Sequence, residues 1–183
     1  MECSTNRRGF IRLGILASVA SLLPAPALAA ARYFSPSRRF LSFYNTQTDE
    51  SLERVYWVRG AYVRRALDEI NHILRDHRTG EIKPIDPRLL DLLCAMHTKL
   101  RACSPFHIIS GYRSPATNAY LREIGRGVAK DSLHMYGKAA DIRLPGCDLS
   151  LLRQVAMDLK GGGVGYYPRS DFVHVDVGRV RFW

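Results

Sequence analysis

Alternating and helically spaced apolar residues divide most of the chain into short elements. Residues 39–44 and 52–58 read as two strands. In the second, Leu52, Arg54, Tyr56 and Val58 alternate with Glu53, Val55 and Trp57, and polar residues 45–50 supply a turn between the runs. Val63, Leu67, Ile70 and Leu74 follow the helical period and predict a helix over 62–75, with Gly80 ending the turn after it. A second helix is predicted over 87–101, with Asp86 as N-cap, Pro87 in its first turn, and Leu89, Leu90, Leu93 and Met96 facing inward. Residues 106–109 form a short apolar strand. Ser114 and Pro115 then open a helix that runs to about residue 124, and Gly125 and Gly127 loosen the chain into a loop. A strand over 139–144 and a helix over 149–159 follow. The run Gly161-Gly162-Gly163 reads as a helix stop. Runs 164–167 and 172–177, with Pro168 between them, read as a closing hairpin. No repeat or linker interrupts this order. It predicts one α+β domain, a central antiparallel sheet with helices packed on it.

The first thirty residues have a different character. Arg7, Arg8 and Arg12 precede an apolar run over 13–23, then Pro24, Pro26 and the small-residue pattern Ala27-Leu28-Ala29. This is the layout of a signal peptide, with cleavage expected after Ala29 or Ala30. The apolar run is shorter than the roughly 20 residues a membrane span needs, so no stable membrane insertion is expected after cleavage. Arg7-Arg8-Gly9-Phe10-Ile11 is similar to the twin-arginine export signal, which implies export to the periplasm in a folded state. Residues 31–38 read as a lead-in, and residues 31–183 as the domain.

The whole chain of 183 residues carries a formal charge of +10. Without Arg7, Arg8, Arg12 and Glu2 it still holds 24 basic and 16 acidic residues, a net +8. Nucleic acid, an anionic lipid surface and another polyanion would all suit such a surface, and export argues against nucleic acid. Cys94, Cys103 and Cys147 are odd in number and contain no CxxC pair, which argues against a cysteine zinc site. Cys94 falls in an apolar helical pattern and reads as core. A Cys94–Cys103 bridge is the less favoured alternative.

Of the six histidines, His72, His77 and His97 fall in or beside helices with no partner at ligand spacing and read as surface or boundary residues. His107 reads as structural. His134 and Asp141 stand apart: the small residues Ser132, Gly137, Ala139 and Ala140 around them let two backbone segments approach closely. His174 sits between Val173 and Val175 on a strand, where a polar side chain needs a buried partner or a cleft. Two histidines and one carboxylate leave a fourth position open, the pattern of catalytic zinc. The alternative is two ordinary histidines in a basic domain.

The stretch Ser132-Leu133-His134-Met135-Tyr136-Gly137-Lys138-Ala139-Ala140-Asp141 resembles the SxHxxGxAxD signature of the LAS-type zinc peptidases. These include VanX-type D-Ala-D-Ala dipeptidases, D-Ala-D-Ala carboxypeptidases and phage endolysins. Asp171-Phe172-Val173-His174 matches their second motif, an acidic residue three before the last histidine. The surrounding text, 110–114 and 161–176, resembles the MepK-type murein endopeptidases over about residues 35–183. The resemblance implies a Hedgehog/DD-peptidase-like fold, Zn2+ held by His134, Asp141 and His174, Asp171 as general base, and Arg113 on the oxyanion or a substrate carboxylate. The VanX-type members carry Glu where this chain has Asp171; the endolysins carry Asp. It implies hydrolysis of cross-links between peptidoglycan stem peptides, and sequence spacing does not choose between D,D and L,D bonds. A D-Ala-D-Ala carboxypeptidase is the nearest alternative. A non-catalytic metal-bearing wall-binding module is the alternative of another class. Asp176 shares a strand face with His174 and is expected to fix that histidine from behind rather than to bind metal. Ser132 and Tyr136 either orient substrate or pack the loop, and Tyr166, Tyr167 and Trp183 read as core more than as groove.

Overall fold

A computed structural model describes residues 37–125 and 127–183. The expected export signal, residues 1–30, lies outside them. Eight strands form one sheet in the order β3-β2-β1-β4-β5-β7-β6-β8. They are β1 (Arg38–Asn45), β2 (Glu50–Val58), β3 (Ala61–Tyr62), β4 (Phe106–Ser110), β5 (Ala139–Arg143), β6 (Gly163–Tyr167), β7 (Phe172–Asp176) and β8 (Arg181–Phe182). The helices are α1 (Arg64–Ile73), α2 (Pro87–Lys99), α3 (Pro115–Glu123) and α4 (Leu149–Leu159). The α+β domain is as expected. The sheet is antiparallel except where β1 meets β4 and β6 meets β8, which run parallel.

One sheet face carries the core. Leu41, Phe43, Tyr56, Phe106, Ile108, Ile142, Val173 and Val175 are buried there, and α1, α2 and α4 pack over them with Ile70, Leu89, Leu93, Met96 and Leu152. Strand alternation sends the intervening residues, including His107, Ile109, Asp141, Arg143 and His174, to the opposite face. That face holds the functional side chains.

Local chemistry sets the boundaries. Asp86 caps α2 by accepting from the Arg88 N–H, and the Ser114 hydroxyl accepts from the Thr117 N–H at the start of α3. Helix α1 begins at Arg64 rather than 62 because Tyr62 pairs with Trp57 as β3. Helix α4 stops at Lys160, which takes the left-handed conformation at φ 51°. None of the three glycines after it has positive φ, so the glycine run is not the stop it was read as. Cys94, Cys103 and Cys147 are all free thiols.

Asp76, in the turn after α1, ties that turn to the segment behind β4. Its carboxylate accepts from the N–H groups of Arg78 and Thr79 on one side and of Ser114 on the other. Alongside, the Tyr112 N–H donates to the Leu74 carbonyl, and a Cβ on Gly111 would stand 2.4 Å from that oxygen. Burial opposes ionisation of Asp76, but donors from Thr117, Ser114 and Arg78 outweigh it and hold the carboxyl down at about 2. A folded pKa below the unfolded value of 3.8 contributes stability that is present above pH 4 and lost as pH falls through 2. Asp76→Asn should therefore cost about 2 kcal/mol at pH 7, with less of that cost left at pH 3, since its amide turns an N–H toward the Ser114 donor. Urea titrations of both proteins at the two pH values check this.

Candidate metal centre

His134 sits on a 3-10 turn, Leu133–Tyr136, which packs against β5. The turn ends at Gly137 with φ 64°, where a Cβ would stand 2.4 Å from the Pro84 carbonyl, so glycine is required. Asp141 and His174 are direct register partners on β5 and β7, which places their side chains next to each other on the open face. The turn lays His134 over this pair. All three are buried.

Their donor atoms form a small triangle. His134 Nε2 is 3.1 Å from His174 Nδ1 and 3.2 Å from Asp141 Oδ1, and His174 Nδ1 is 2.9 Å from the same oxygen. Three donors on a tetrahedral ion at zinc–ligand lengths lie about 3.3–3.4 Å apart. The triangle matches that within a few tenths of an ångström, and the three residues can together hold a metal ion.

The imidazoles are oriented from behind. His134 Nδ1 donates to the Gly111 carbonyl at 2.7 Å, which leaves Nε2 as the free lone pair. His174 Nε2 donates to Asp176 Oδ2 at 3.1 Å, which leaves Nδ1 facing the cluster. Asp176 is fully buried, and its carboxylate also accepts from the N–H groups of Gly163 and Gly178 and from the Arg181 guanidinium. Asp176 thus meets the expectation of holding the histidine from behind.

The ionisation states follow. Burial favours neutral His134, and Arg113 adds to that against the pull of Asp141. Burial opposes charge on Asp141, but both histidines reverse that and keep it ionised well below the usual carboxylate range. Burial also opposes charge on His174, but the carboxylates on either side of the ring outweigh it and raise its affinity for a proton.

Arg113 joins the cluster as expected from its motif. Its Nη2 donates to Asp141 Oδ2 at 2.5 Å, while the Ser110 hydroxyl accepts from Nε at 2.9 Å and fixes the side chain. Asp171 does not join. It sits at φ 52° after β6, with its side chain 64% exposed, and it accepts from Arg143 at 2.9 Å. Asp171 lies just before β7, and its left-handed turn directs the side chain to Arg143, which stands on the same sheet face as Asp141 and His174.

The cluster lies in a cleft of about 680 Å³. Gln47, beyond β1, and Trp183, beyond β8, both line it, so it crosses six strands, about 24 Å of sheet. His77, read as a surface residue, lies on its wall, as do Ser132, Tyr167 and Trp183; Tyr136 and Tyr166 do not. Trp183 packs against the His174 ring at 5.3 Å and donates to the Tyr167 hydroxyl at 2.8 Å. Among the described residues, Asp131 is the other carboxylate on the wall.

This geometry meets its counterpart in known proteins. The family model for peptidoglycan L,D-endopeptidase MepK matches residues 34–183. The chain belongs to the MepK family. Peptidoglycan L,D-endopeptidase MepK of Escherichia coli (strain K12) is 43% identical over 178 residues, covering 97% of each chain. Probable peptidoglycan L,D-endopeptidase MepK of Haemophilus influenzae is 38% identical over 179 residues, covering 97% of this chain and 95% of the relative. The MepK match covers both motifs and every residue of the cluster.

Proposed function

We propose that this protein is a zinc-dependent endopeptidase that hydrolyses L,D peptide cross-links of peptidoglycan, those joining one diaminopimelate to the next. The observation that carries this reading is the triangle of His134 Nε2, Asp141 Oδ1 and His174 Nδ1 at the floor of an open cleft. Two imidazoles and one carboxylate suit zinc and leave a position free. The choice of bond rests on the names of the MepK relatives. A cleft open across six strands suits a peptide that continues on both sides of the cut, whereas trimming a terminal residue needs a closed end.

Zinc held there would supply Lewis acidity, polarising the scissile carbonyl and making water a nucleophile near neutral pH. His134 and His174 present fixed lone pairs because Gly111 and Asp176 hold their far nitrogens. Arg113, braced by Ser110, sets a permanent planar cation beside the carbonyl oxygen as negative charge grows on it. Asp171, exposed between the cleft-lining residues Ser170 and Phe172 and joined to Arg143 through one weak surface pair, is the residue we assign to take the proton of the attacking water.

The leader over residues 1–30 is read as a twin-arginine export signal, which places the enzyme in the periplasm with its substrate. Among the described residues no helix is long and apolar enough to cross a membrane.

Chromatography of cross-linked muropeptides tests the proposal. Zinc-loaded protein should convert diaminopimelate–diaminopimelate dimers to monomers, and a chelator should abolish this until zinc is restored. Pentapeptides losing their last residue while dimers survive would make it a carboxypeptidase. Unchanged muropeptides with zinc bound would make it a binding module.

A further inference from the structure

The turn after α1 brings two more polar side chains to the cleft, His77 and Arg78. Its backbone is braced on several sides. The Asn45 amide, at the end of β1, donates to the Ile73 carbonyl where α1 ends. Asp76 accepts from the Arg78 N–H and from the N–H of Ser114, the residue after Arg113. The Tyr112 N–H donates to the Leu74 carbonyl. Arg78 is thus mounted on backbone that is fixed relative to Arg113, and a side chain on a rigid mount loses less freedom when it binds.

Charge on the cleft wall is unevenly satisfied. Arg78, Arg113 and Arg181 all line the cleft. Arg113 is paired with Asp141, and Arg181 with Asp176. The remaining wall carboxylate, Asp131, accepts from the Tyr136 hydroxyl at 2.7 Å. Arg78 is exposed, and its side chain has no carboxylate partner among the described residues; it donates from Nη1 to His77 Nε2 at 2.8 Å. Burial favours a neutral His77 ring, and the charges of Arg78 and Arg113 add to that against the pull of Asp76. The ring therefore steers one edge of the guanidinium without cancelling its charge, and leaves the other N–H groups of the fork open.

We propose that Arg78, steered by His77, is a carboxylate-binding subsite that selects stem peptides with a free carboxylate beside the scissile bond. This deepens the endopeptidase reading and rests on it. The turn is tied to the end of β1, and β1 lies two strand spacings, about 10 Å, from β5 with its metal ligand. The carboxylate held there belongs to a group next to the bond being cut, not to that bond. A stem peptide offers two such groups: the carboxylate at the far end of a diaminopimelate side chain, and the one that a γ-linked glutamate leaves free. A guanidinium fork fits both in the same way. The two arginines then divide the work. Arg113 meets charge that grows during the reaction, and Arg78 meets charge the substrate already carries, so Arg78 acts on KM.

The test is calorimetric binding to zinc-loaded protein of the diaminopimelate-containing tripeptide stem in three forms: free, amidated at the glutamate carboxylate, and amidated at the diaminopimelate side-chain carboxylate. Arg78→Ala should weaken the free tripeptide about tenfold or more, and Arg78→Lys should recover part of the loss. One of the amidated forms should bind the unsubstituted protein about tenfold more weakly and be indifferent to Arg78→Ala, which identifies the carboxylate held. The other should behave as the free form. In dimer cleavage Arg78→Ala should raise KM by a similar factor with zinc content unchanged. Equal losses on all three peptides, or no loss on any, would overturn the subsite, as would a fall confined to kcat. Cleavage itself is scored separately. Uncleaved dimers with carboxylate-dependent binding would sink the endopeptidase reading alone, and cleaved dimers without that dependence would sink the subsite alone.

Discussion

His134→Ala should come through zinc loading with no bound metal, and its turnover of cross-linked muropeptides should fall by about a thousandfold or more. The size of the effect follows from how the site is built. Only three protein donors form the triangle, and His134 Nε2 is within 3.3 Å of both others. Its removal leaves two donors facing a gap that no described carboxylate or imidazole is placed to fill. Arg113 already holds Asp141 Oδ2, and with His134 gone its cation would neutralise Asp141 in place of a metal. Zinc stoichiometry of the purified variant, read beside its thermal transition, checks the assignment. One zinc per chain with a normal transition would show that the donors lie elsewhere. Asp171→Ala is the internal contrast, since it should keep its zinc.

The second large effect concerns stability. Gly162→Ala should destabilise the fold by more than about 3 kcal/mol, enough to deplete soluble protein. A Cβ at Gly162 would stand 1.9 Å from the Asp176 carbonyl oxygen and 2.9 Å from the Val177 Cα, both backbone atoms that have no rotamer to yield. The next glycine is confined by side chains that an ion pair holds in place. At Gly163 a Cβ would meet Asp176 Oδ2 at 2.5 Å and the Arg181 guanidinium at 2.6 Å. Gly161→Ala is the milder member of the series, because its neighbour is the Leu92 side chain at 2.7 Å, which can move. Thermal denaturation of the three alanine variants should rank Gly161 well above the other two. Equal melting points would mean that the run serves only to end α4.

These glycines show what the sequence does and does not disclose. A run of three glycine residues after an apolar helix reads as a stop because flexibility is all that a linear reading sees. The real constraint is the approach of β6 to a buried carboxylate thirteen residues later, which no local pattern encodes. Helix α4 itself was fully legible, from Leu149 to Leu159, because its apolar period is local. The same holds for the Asp86 and Ser114 caps. The short strands β3 and β8 were not foreseen, since two residues have no period.

Within the site, the motif brought His134, Asp141, His174 and Arg113 together, and strand alternation anticipated the contact between Asp176 and His174. The motif also suggested Asp171. That residue lies just outside β7, where strand alternation no longer dictates direction, and its left-handed conformation turns the side chain to Arg143 on the functional face. His77 reads as surface and Trp183 as core in the sequence, because a cleft wall gathers residues by tertiary proximity. Trp183 reaches His174 only through the parallel pairing of β8 with β6.

The two margins of the sheet are its shortest strands, β3 and β8, each of two residues. A long bare edge would offer a ladder of N–H and C=O groups on which another chain could add a strand. Here β3 covers only Trp57 and Val58 of the nine-residue β2, so the rest of that margin is guarded by charge instead, with Glu53 and Arg54 exposed along it where an added strand would have to lie.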